Sequence, residues 1–341
     1  MTVLVTGGNG HLGSTLVRML SAAGGRVRAS VLSAATEPGV AVLAKLPGVE
    51  IVEANVLDPD AMARAMAGVD TVFHTAAIYA YVLKAGDAEK VVRTSVEGAS
   101  NAVKAAASAK VRKVVMTSSV VTLPPKRPGE PPATEDDWAS DLSVPYFRGK
   151  VEADRTAHRL AGELGVDLVT ILPGSIGGPG FFRNTPTVDI LEGIMLGSMK
   201  MAAPNQNLPY VDVRDAARAH LLAAEKPSSG RYIAANDVFP SFLELTRVLN
   251  AIDGSIPVAP RLAPDGMMAL ARFFDWLGNR TMGTPRVVAP ELLTALKGKV
   301  WAASNARIAR DLGWRPSVTL EQSLRDTLGQ IRENRAARAT G

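Results

Sequence analysis

Tyr146 and Lys150 stand four residues apart in the run Pro145-Tyr146-Phe147-Arg148-Gly149-Lys150. On a helix that spacing puts both side chains on one face, one turn from each other. Pro145 suits the first turn of such a helix. A phenol titrates at ~10, too high for acid–base work at neutral pH. A neighbouring ammonium favours the phenolate and brings the group closer to working range. Upstream, Thr117-Ser118-Ser119 closes an apolar run, Val111 to Met116. Hydroxyls at the C-terminal end of a central strand point into the crevice where ligands bind. Ser119 there is a donor able to polarise a carbonyl.

A second group of residues holds rather than reacts. Thr6-Gly7-Gly8-Asn9-Gly10-His11-Leu12-Gly13 lies between the apolar run Val3-Leu4-Val5 and a helical pattern from Ser14 to Leu20. Glycines at this spacing let the backbone turn with positive φ and let a pyrophosphate approach the amide N–H groups. The helix N-terminus adds free donors and a partial positive charge. The expected ligand is a dinucleotide.

These residues need a frame. Short β-rich runs alternate with helical stretches through the first half: strands at Val27–Leu32, Val49–Ala54, Val69–Thr75, Val111–Met116 and Val166–Leu172, helices at 59–66, about 88–107 and 146–164. That alternation predicts an α/β fold, a doubly wound parallel sheet with right-handed crossovers. The proline-rich stretch Leu123–Pro132 reads as a surface loop. The expected division is a dinucleotide-binding domain over residues 1–173, with returns near 205–225, a smaller mixed substrate lobe over 174–330, and a frayed basic tail over 331–341. The apolar run Met267–Leu277 is expected to form a helix covering the substrate lobe.

Composition excludes several classes. The chain has 341 residues, a net charge of +5, four histidines and no cysteine. Disulfides and thiolate chemistry are out, and a metal site is not expected. No run of ~18 apolar residues is present, and the start runs straight into the first strand. A cytoplasmic protein without a membrane-spanning segment is expected. The positive residues are scattered, with no basic stripe interleaved with aromatics, so nucleic acid is not an expected partner.

Taken together, the motifs resemble an extended short-chain dehydrogenase/reductase of the NAD-dependent epimerase/dehydratase family. Thr6–Gly13 matches its T-G-x-x-G-x-x-G, Asp70–Ala77 its D-x-V-x-H-x-A-A, and Tyr146–Lys150 its Y-x-x-x-K. Leu172–Gly180, Val211–Ala219 and Leu312–Pro316 resemble three later landmarks. Thr134-Glu135-Asp136-Asp137-Trp138 resembles the dihydroflavonol-reductase and cinnamoyl-CoA-reductase branch. The resemblance implies hydride reduction of a ketone or aldehyde, with Tyr146 as general acid, Lys150 tuning it and binding ribose, and Ser119 orienting the carbonyl. It implies a cofactor site of Gly7, Asn9, Gly10, His11, Leu12 and Gly13 in the cradle, with Leu32 and Ser33 after strand two. Asn55 and Val56 lie at adenine, Thr75, Ala76 and Ala77 along the groove, and Thr117, Lys150, Pro173, Gly174 and Ile176 near the nicotinamide. Three positions depart from the family pattern: Gly149 where serine is common, Leu172 where arginine is common, and Ser95 where asparagine is common. Ser95 argues against an Asn-held water in a proton relay. His74 is expected to be a buried structural residue.

The stretch Val31–Thr36 carries neither acid nor base. An acid there would repel a 2′-phosphate, so the choice leans to NADP(H) over NAD(H). An apolar pocket is expected from Ile78, Tyr79, Tyr81, Val120, Phe181, Phe182, Met195, Met199, Met201 and Tyr210 around Ser119 and Tyr146, suited to a ring-bearing small-molecule carbonyl compound. A hydroxysteroid-type dehydrogenase, a nucleotide-sugar epimerase and a non-enzymatic dinucleotide sensor are the alternatives. The phenylalanines and methionines disfavour the epimerase. A homodimer paired through helices near strand five is the expected assembly.

Overall fold

The computed structural model describes residues 1–78, 87–264 and 290–340. Its strands are β1 (Thr2–Thr6), β2 (Arg26–Val31), β3 (Val49–Glu53), β4 (Thr71–His74), β5 (Lys113–Thr117), β6 (Leu168–Pro173), β7 (Ser175–Gly177), β8 (Tyr210–Asp212) and β9 (Gly230–Ala234). Among the described residues, seven form one sheet in the order β3-β2-β1-β4-β5-β6-β9, and β7 pairs with β8 in a small second sheet. Every pairing is parallel. The order reverses at β1 and β4, so the crevice beyond their C-terminal ends is where a doubly wound sheet binds its ligand. The expected strands are present, with ends that differ by a residue or two.

The helices are α1 (His11–Ala22), α2 (Val40–Leu43), α3 (Pro59–Met66), α4 (Asp87–Ser108), α5 (Pro145–Leu164), α6 (Pro186–Met195), α7 (Val213–Glu225), α8 (Phe242–Ile252), α9 (Pro290–Ala295), α10 (Ala306–Leu312) and α11 (Leu320–Thr340). Local chemistry sets their ends. Asp58 caps α3 by accepting from the Asp60 and Ala61 N–H groups, with Pro59 in the first turn, as N-cap carboxylates do. Ser241 and Glu244 form a capping box at α8. α5 starts on Pro145 and ends on Gly165 in the left-handed region.

One face of the sheet buries α1, α7 and α10 around Leu16, Phe73, Ala217 and Trp314. The other buries α3, α4 and α5 around Met62, Met66, Val103 and Ala157. A third core, with Leu191, Leu249 and Leu328, joins α6, α8 and α11 into the smaller lobe. Trp314 is fully buried and donates through Nε1 to the Asp215 carbonyl at 2.9 Å. Trp314→Ala is expected to cost ~3–5 kcal/mol by cavity formation, read as a fall in the urea midpoint.

Two expectations change. β9 adds a seventh strand to the main sheet at 230–234, beyond the returns expected near 205–225. The run from 331 onward is not a frayed tail: α11 continues to Thr340, where Arg332 pairs with Asp253 and Arg335 with Glu192 at 2.7 Å. The run Met267–Leu277, with Tyr79 and Tyr81, lies outside the described residues. Among those described, no helix is long and apolar enough to cross a membrane.

Candidate active site

The glycine turn is built to be approached from outside. Gly7 has φ +65°, and a Cβ on it would lie 2.9 Å from the Ala76 backbone. A Cβ on Gly13 would lie 2.2 Å from the Gly7 carbonyl oxygen, which packs α1 tightly against the turn. A Cβ on Gly10 would meet only that same oxygen, at 3.2 Å. α1 begins without a side-chain cap and without an acid in its first turn, so the N–H groups of His11, Leu12 and Gly13 have no partner within the helix. Uncapped donors, a positive dipole end and an unobstructed glycine suit a pyrophosphate. Gly13→Ala is expected to weaken dinucleotide binding by about tenfold or more, equivalent to ~1.4 kcal/mol, in a fluorescence titration.

The candidate acid–base residues lie on α5, which reaches the end of β5 through Lys150. Tyr146 and Lys150 are both buried, at 6 % and 8 % exposure, one turn apart on α5. Lys150 Nζ donates to the Thr117 carbonyl at 3.1 Å. Burial pulls its pKa down to about 8, against the pull of Asp154 one turn further on. The Thr117 hydroxyl bonds His220 Nε2 at 2.8 Å, and His220 Nδ1 bonds the Ala216 carbonyl at 2.8 Å. A carbonyl only accepts, so Nδ1 carries the proton and the Thr117 hydroxyl donates. Ser119 Oγ accepts the Val121 N–H at 3.3 Å and so begins the tight turn Val120–Thr122. α5 packs on that turn.

Asp154 ties these pieces together. Its Oδ2 accepts from Ser118 Oγ at 2.7 Å and faces Arg231 Nε at 3.3 Å. Burial opposes its charge, but His158, Arg231 and Ser118 outweigh that and hold its carboxyl below the usual range. Arg231 donates to the Glu135 and Asp137 carbonyls and to Thr122 Oγ1, and lies 3.6 Å from the centre of the Trp138 ring. The Thr134–Trp138 segment thus serves as a seat for the buried Arg231–Asp154 pair. Beside Lys150, a cavity of about 20 Å³ is bounded in part by His74, Ser95, Ser118 and Asp154, room for one water.

Three histidines stay neutral. Burial, with Lys150 adding to it, lowers His74 to about 4, and its Nδ1 bonds Thr6 Oγ1 at 3.0 Å. Burial likewise lowers His11 and His220 to about 4. His11 bonds the Pro179 carbonyl at 3.2 Å and packs edge-on against Phe181. These contacts fix the His11 and His74 side chains in place.

The other expected positions divide. Thr75 donates to the Thr6 carbonyl at 2.7 Å, and Ala76 and Ala77 border the cavity. Pro173 and Gly174 join β6 to β7, and a Cβ on Gly174 would lie 2.8 Å from the Pro209 oxygen. Ile176 sits half-buried on β7. Leu32 and Asn55 are exposed, and the Val56 carbonyl accepts from Asn101 Nδ2 at 2.9 Å. Arg28 points away from the crevice, pairing with Glu50 at 2.9 Å and capping the Ala65 and Ala67 carbonyls. The expected pocket wall is corrected where its residues enter cores: Tyr210 lies in the small-lobe core with Met199 packed against it, and Phe182 packs on the α1 side of the sheet. Val120 is buried among Leu123, Leu172 and Ile233. Phe181 belongs to the small-lobe core, and Met195 packs against it. Ile78 stays half-buried.

Around Tyr146 itself, Phe239, Leu292, Leu296 and Trp301 pack with Val121 and Phe147 in a separate small core. Trp301 meets Phe147 edge-on at 5.9 Å. Asn207 clasps it by giving a hydrogen bond to the Trp301 carbonyl and taking one from its N–H, both at 2.8 Å. No local signal marks these residues. Their role follows from Lys126 pairing with Val300 across the proline-rich loop.

Comparisons with known proteins agree with this fold. The family model described as "NAD dependent epimerase/dehydratase family" matches residues 3–235. Cinnamoyl-CoA reductase 1 of Petunia hybrida is 36% identical over 250 residues, covering 69% of this chain and 73% of that one. Sterol demethylase protein B of Methylococcus capsulatus is 29% identical over 340 residues, covering 98% of this chain and 99% of its own. The crystal structure of gox2253 superposes with a TM-score of 0.81 at 29% identity, covering 97% and 98% of the two chains. UDP-glucose 4-epimerase of Thermotoga maritima shares the fold, with a TM-score of 0.75 at 19% identity and coverage of 98% and 99%. The chain belongs to the NAD-dependent epimerase/dehydratase family of extended short-chain dehydrogenases/reductases, in its dihydroflavonol-reductase-like branch, and is an NAD(P)-dependent oxidoreductase.

Proposed function

We propose that the protein reduces the carbonyl of a hydrophobic or aromatic ketone or aldehyde, with Tyr146 as the proton donor. The observation that carries this reading is the buried Tyr146–Lys150 pair on α5, with Lys150 held by the Thr117 carbonyl at 3.1 Å. The cradle residues Gly7, Gly10, His11, Leu12 and Gly13 hold the pyrophosphate, and Thr75, Ala76 and Ala77 border the groove toward Lys150. Bound there, the reduced nicotinamide supplies the hydride to the carbonyl carbon.

The chain's own groups handle the oxygen. Ser119 donates a hydrogen bond to it and polarises the bond. Tyr146 gives its proton as negative charge develops there. Lys150, as an ammonium, stabilises the phenolate that remains. Phe147, Phe239, Leu296 and Trp301 make the packing around Tyr146 apolar, a setting that favours a hydrophobic substrate over a sugar nucleotide. A panel of aromatic aldehydes and ketones, followed through loss of reduced-nicotinamide absorbance, tests the reading. Turnover that vanishes in Tyr146→Phe supports it. Absence of turnover with any carbonyl, despite dinucleotide binding, contradicts it.

The similarity to cinnamoyl-CoA reductases favours a second substrate class, a CoA thioester. A thioester carbonyl accepts hydride at the same carbon and then releases the thiol. Including a cinnamoyl thioester in the panel separates the two, because only that substrate liberates free thiol.

The pH dependence follows from Lys150. The ammonium form supports Tyr146, and its pKa lies at about 8. The value of kcat/KM for the dinucleotide reports the free enzyme. It is expected to be level below that pH and to fall as pH rises through about 8.

A further inference from the structure

The turn after β2 is where the adenosine ribose of a dinucleotide lies in this kind of sheet. Residues 31–36 carry no charge, yet two carboxylates reach the turn from elsewhere. Glu53, paired in register with Val31, accepts the Ala34 N–H at 2.6 Å. Glu37 folds back onto the glycine cradle, where its Oε2 accepts from Asn9 Nδ2 at 2.8 Å. The same amide reaches the Pro38 carbonyl at 3.4 Å. Gly39, at φ +79°, lies under the Phe182 ring so closely that a Cβ would come within 2.1 Å of it. This fixes the path of the loop. Arg183, itself 60% exposed, meets Glu37 Oε2 at 3.3 Å. Every side-chain hydrogen bond of Glu37 falls on Oε2, and among the described residues Oε1 has no partner. The Glu37 side chain is 17% exposed.

We propose that Glu37 makes this enzyme select NAD(H): Oε1 accepts the adenosine 2′-hydroxyl, and the carboxylate rejects a 2′-phosphate. The inference rests on the nicotinamide-dependent reading above and deepens its cofactor site. A carboxylate is an acceptor only, so it suits a ribose hydroxyl and forms a charge-assisted hydrogen bond with it. A phosphate dianion in its place meets like charge. Asn9 Nδ2 is held by Glu37 and the Pro38 carbonyl, and Arg183 Nη1 is turned onto Glu37. The leaning to NADP(H) drawn from residues 31–36 rested on the absence of a carboxylate, and the fold supplies one from outside that window.

Fluorescence titration of the full chain with NADH and with NADPH tests this without any carbonyl substrate. The wild type is expected to bind NADH more tightly. Glu37→Gln is expected to shift the ratio of the two Kd values toward NADPH by about tenfold or more. Glu37→Asp keeps the charge but draws it back from Asn9, and is expected to shift the ratio less, in the same direction. Arg183→Ala leaves the carboxylate uncompensated and is expected to preserve or sharpen the preference for NADH. Tighter binding of NADPH by the wild type overturns the proposal, as does an unchanged ratio in Glu37→Gln at an unaltered melting temperature. NADH preference without carbonyl turnover defeats the reductase reading alone. Carbonyl turnover with NADPH preferred defeats the Glu37 assignment alone.

Discussion

Tyr146→Phe is expected to lower kcat for carbonyl reduction by about a thousandfold, within the ~10²–10⁴ span that a general acid contributes. Dinucleotide affinity should change little, since the cradle lies on β1 and α1 and does not involve the phenol. The substitution removes one oxygen from a ring that packs with Val121, Phe147 and Trp301, so the fold should survive. The separation of effects is the test. Steady-state rates should collapse while a binding titration stays near wild type. Loss of both together would mean that the ring supports the groove rather than the chemistry.

Asp154→Ala carries the second large effect, and it acts on stability and catalysis at once. Arg231 is 6% exposed and keeps its charge within 3.3 Å of Asp154 Oδ2. Removing one partner of a buried pair leaves the other charge uncompensated, at a cost of ~3–5 kcal/mol. Ser118 loses its acceptor as well. Urea denaturation should show a lower midpoint with little change in slope. Asp154→Asn keeps the shape and serves as the milder variant. In both, the negative charge that holds Lys150 up is gone, so the alkaline limb of the pH profile should move below about 8. A purely structural role for Asp154 would lower the urea midpoint and leave that limb in place.

Much of this fold was legible because its signals are local. A near-continuous apolar run such as Leu168–Pro173 announces a buried parallel strand, and the alternation in Val49–Glu53 a strand at the sheet's edge. Pro59 and Pro145 announce helix starts, and Gly165 a helix end. β9 was missed because Gly230–Ala234 is short and opens on glycine, with arginine as its second residue. Its place depends on pairing with β6, which lies some sixty residues upstream.

The site divides along the same line. Gly7–Gly13, Ser119, Tyr146 and Lys150 lie on motifs that can be read at fixed spacing. Glu37 and Trp301 cannot be read that way. Glu37 matters only because its loop folds back to Asn9, and Trp301 only because Asn207 and Lys126 hold its segment beside α5. Phe181 and Val120 misled for the converse reason. Their apolar character suits a pocket and a core equally, and only packing distinguishes the two.

The most direct measurement follows a label. Reduced dinucleotide deuterated at the transferable nicotinamide position is incubated with an aromatic aldehyde, and the alcohol is examined by mass spectrometry. The account predicts one deuterium on the carbinol carbon with wild-type protein and only traces with Tyr146→Phe. Alcohol without deuterium, or equal labelling by the variant, would contradict it.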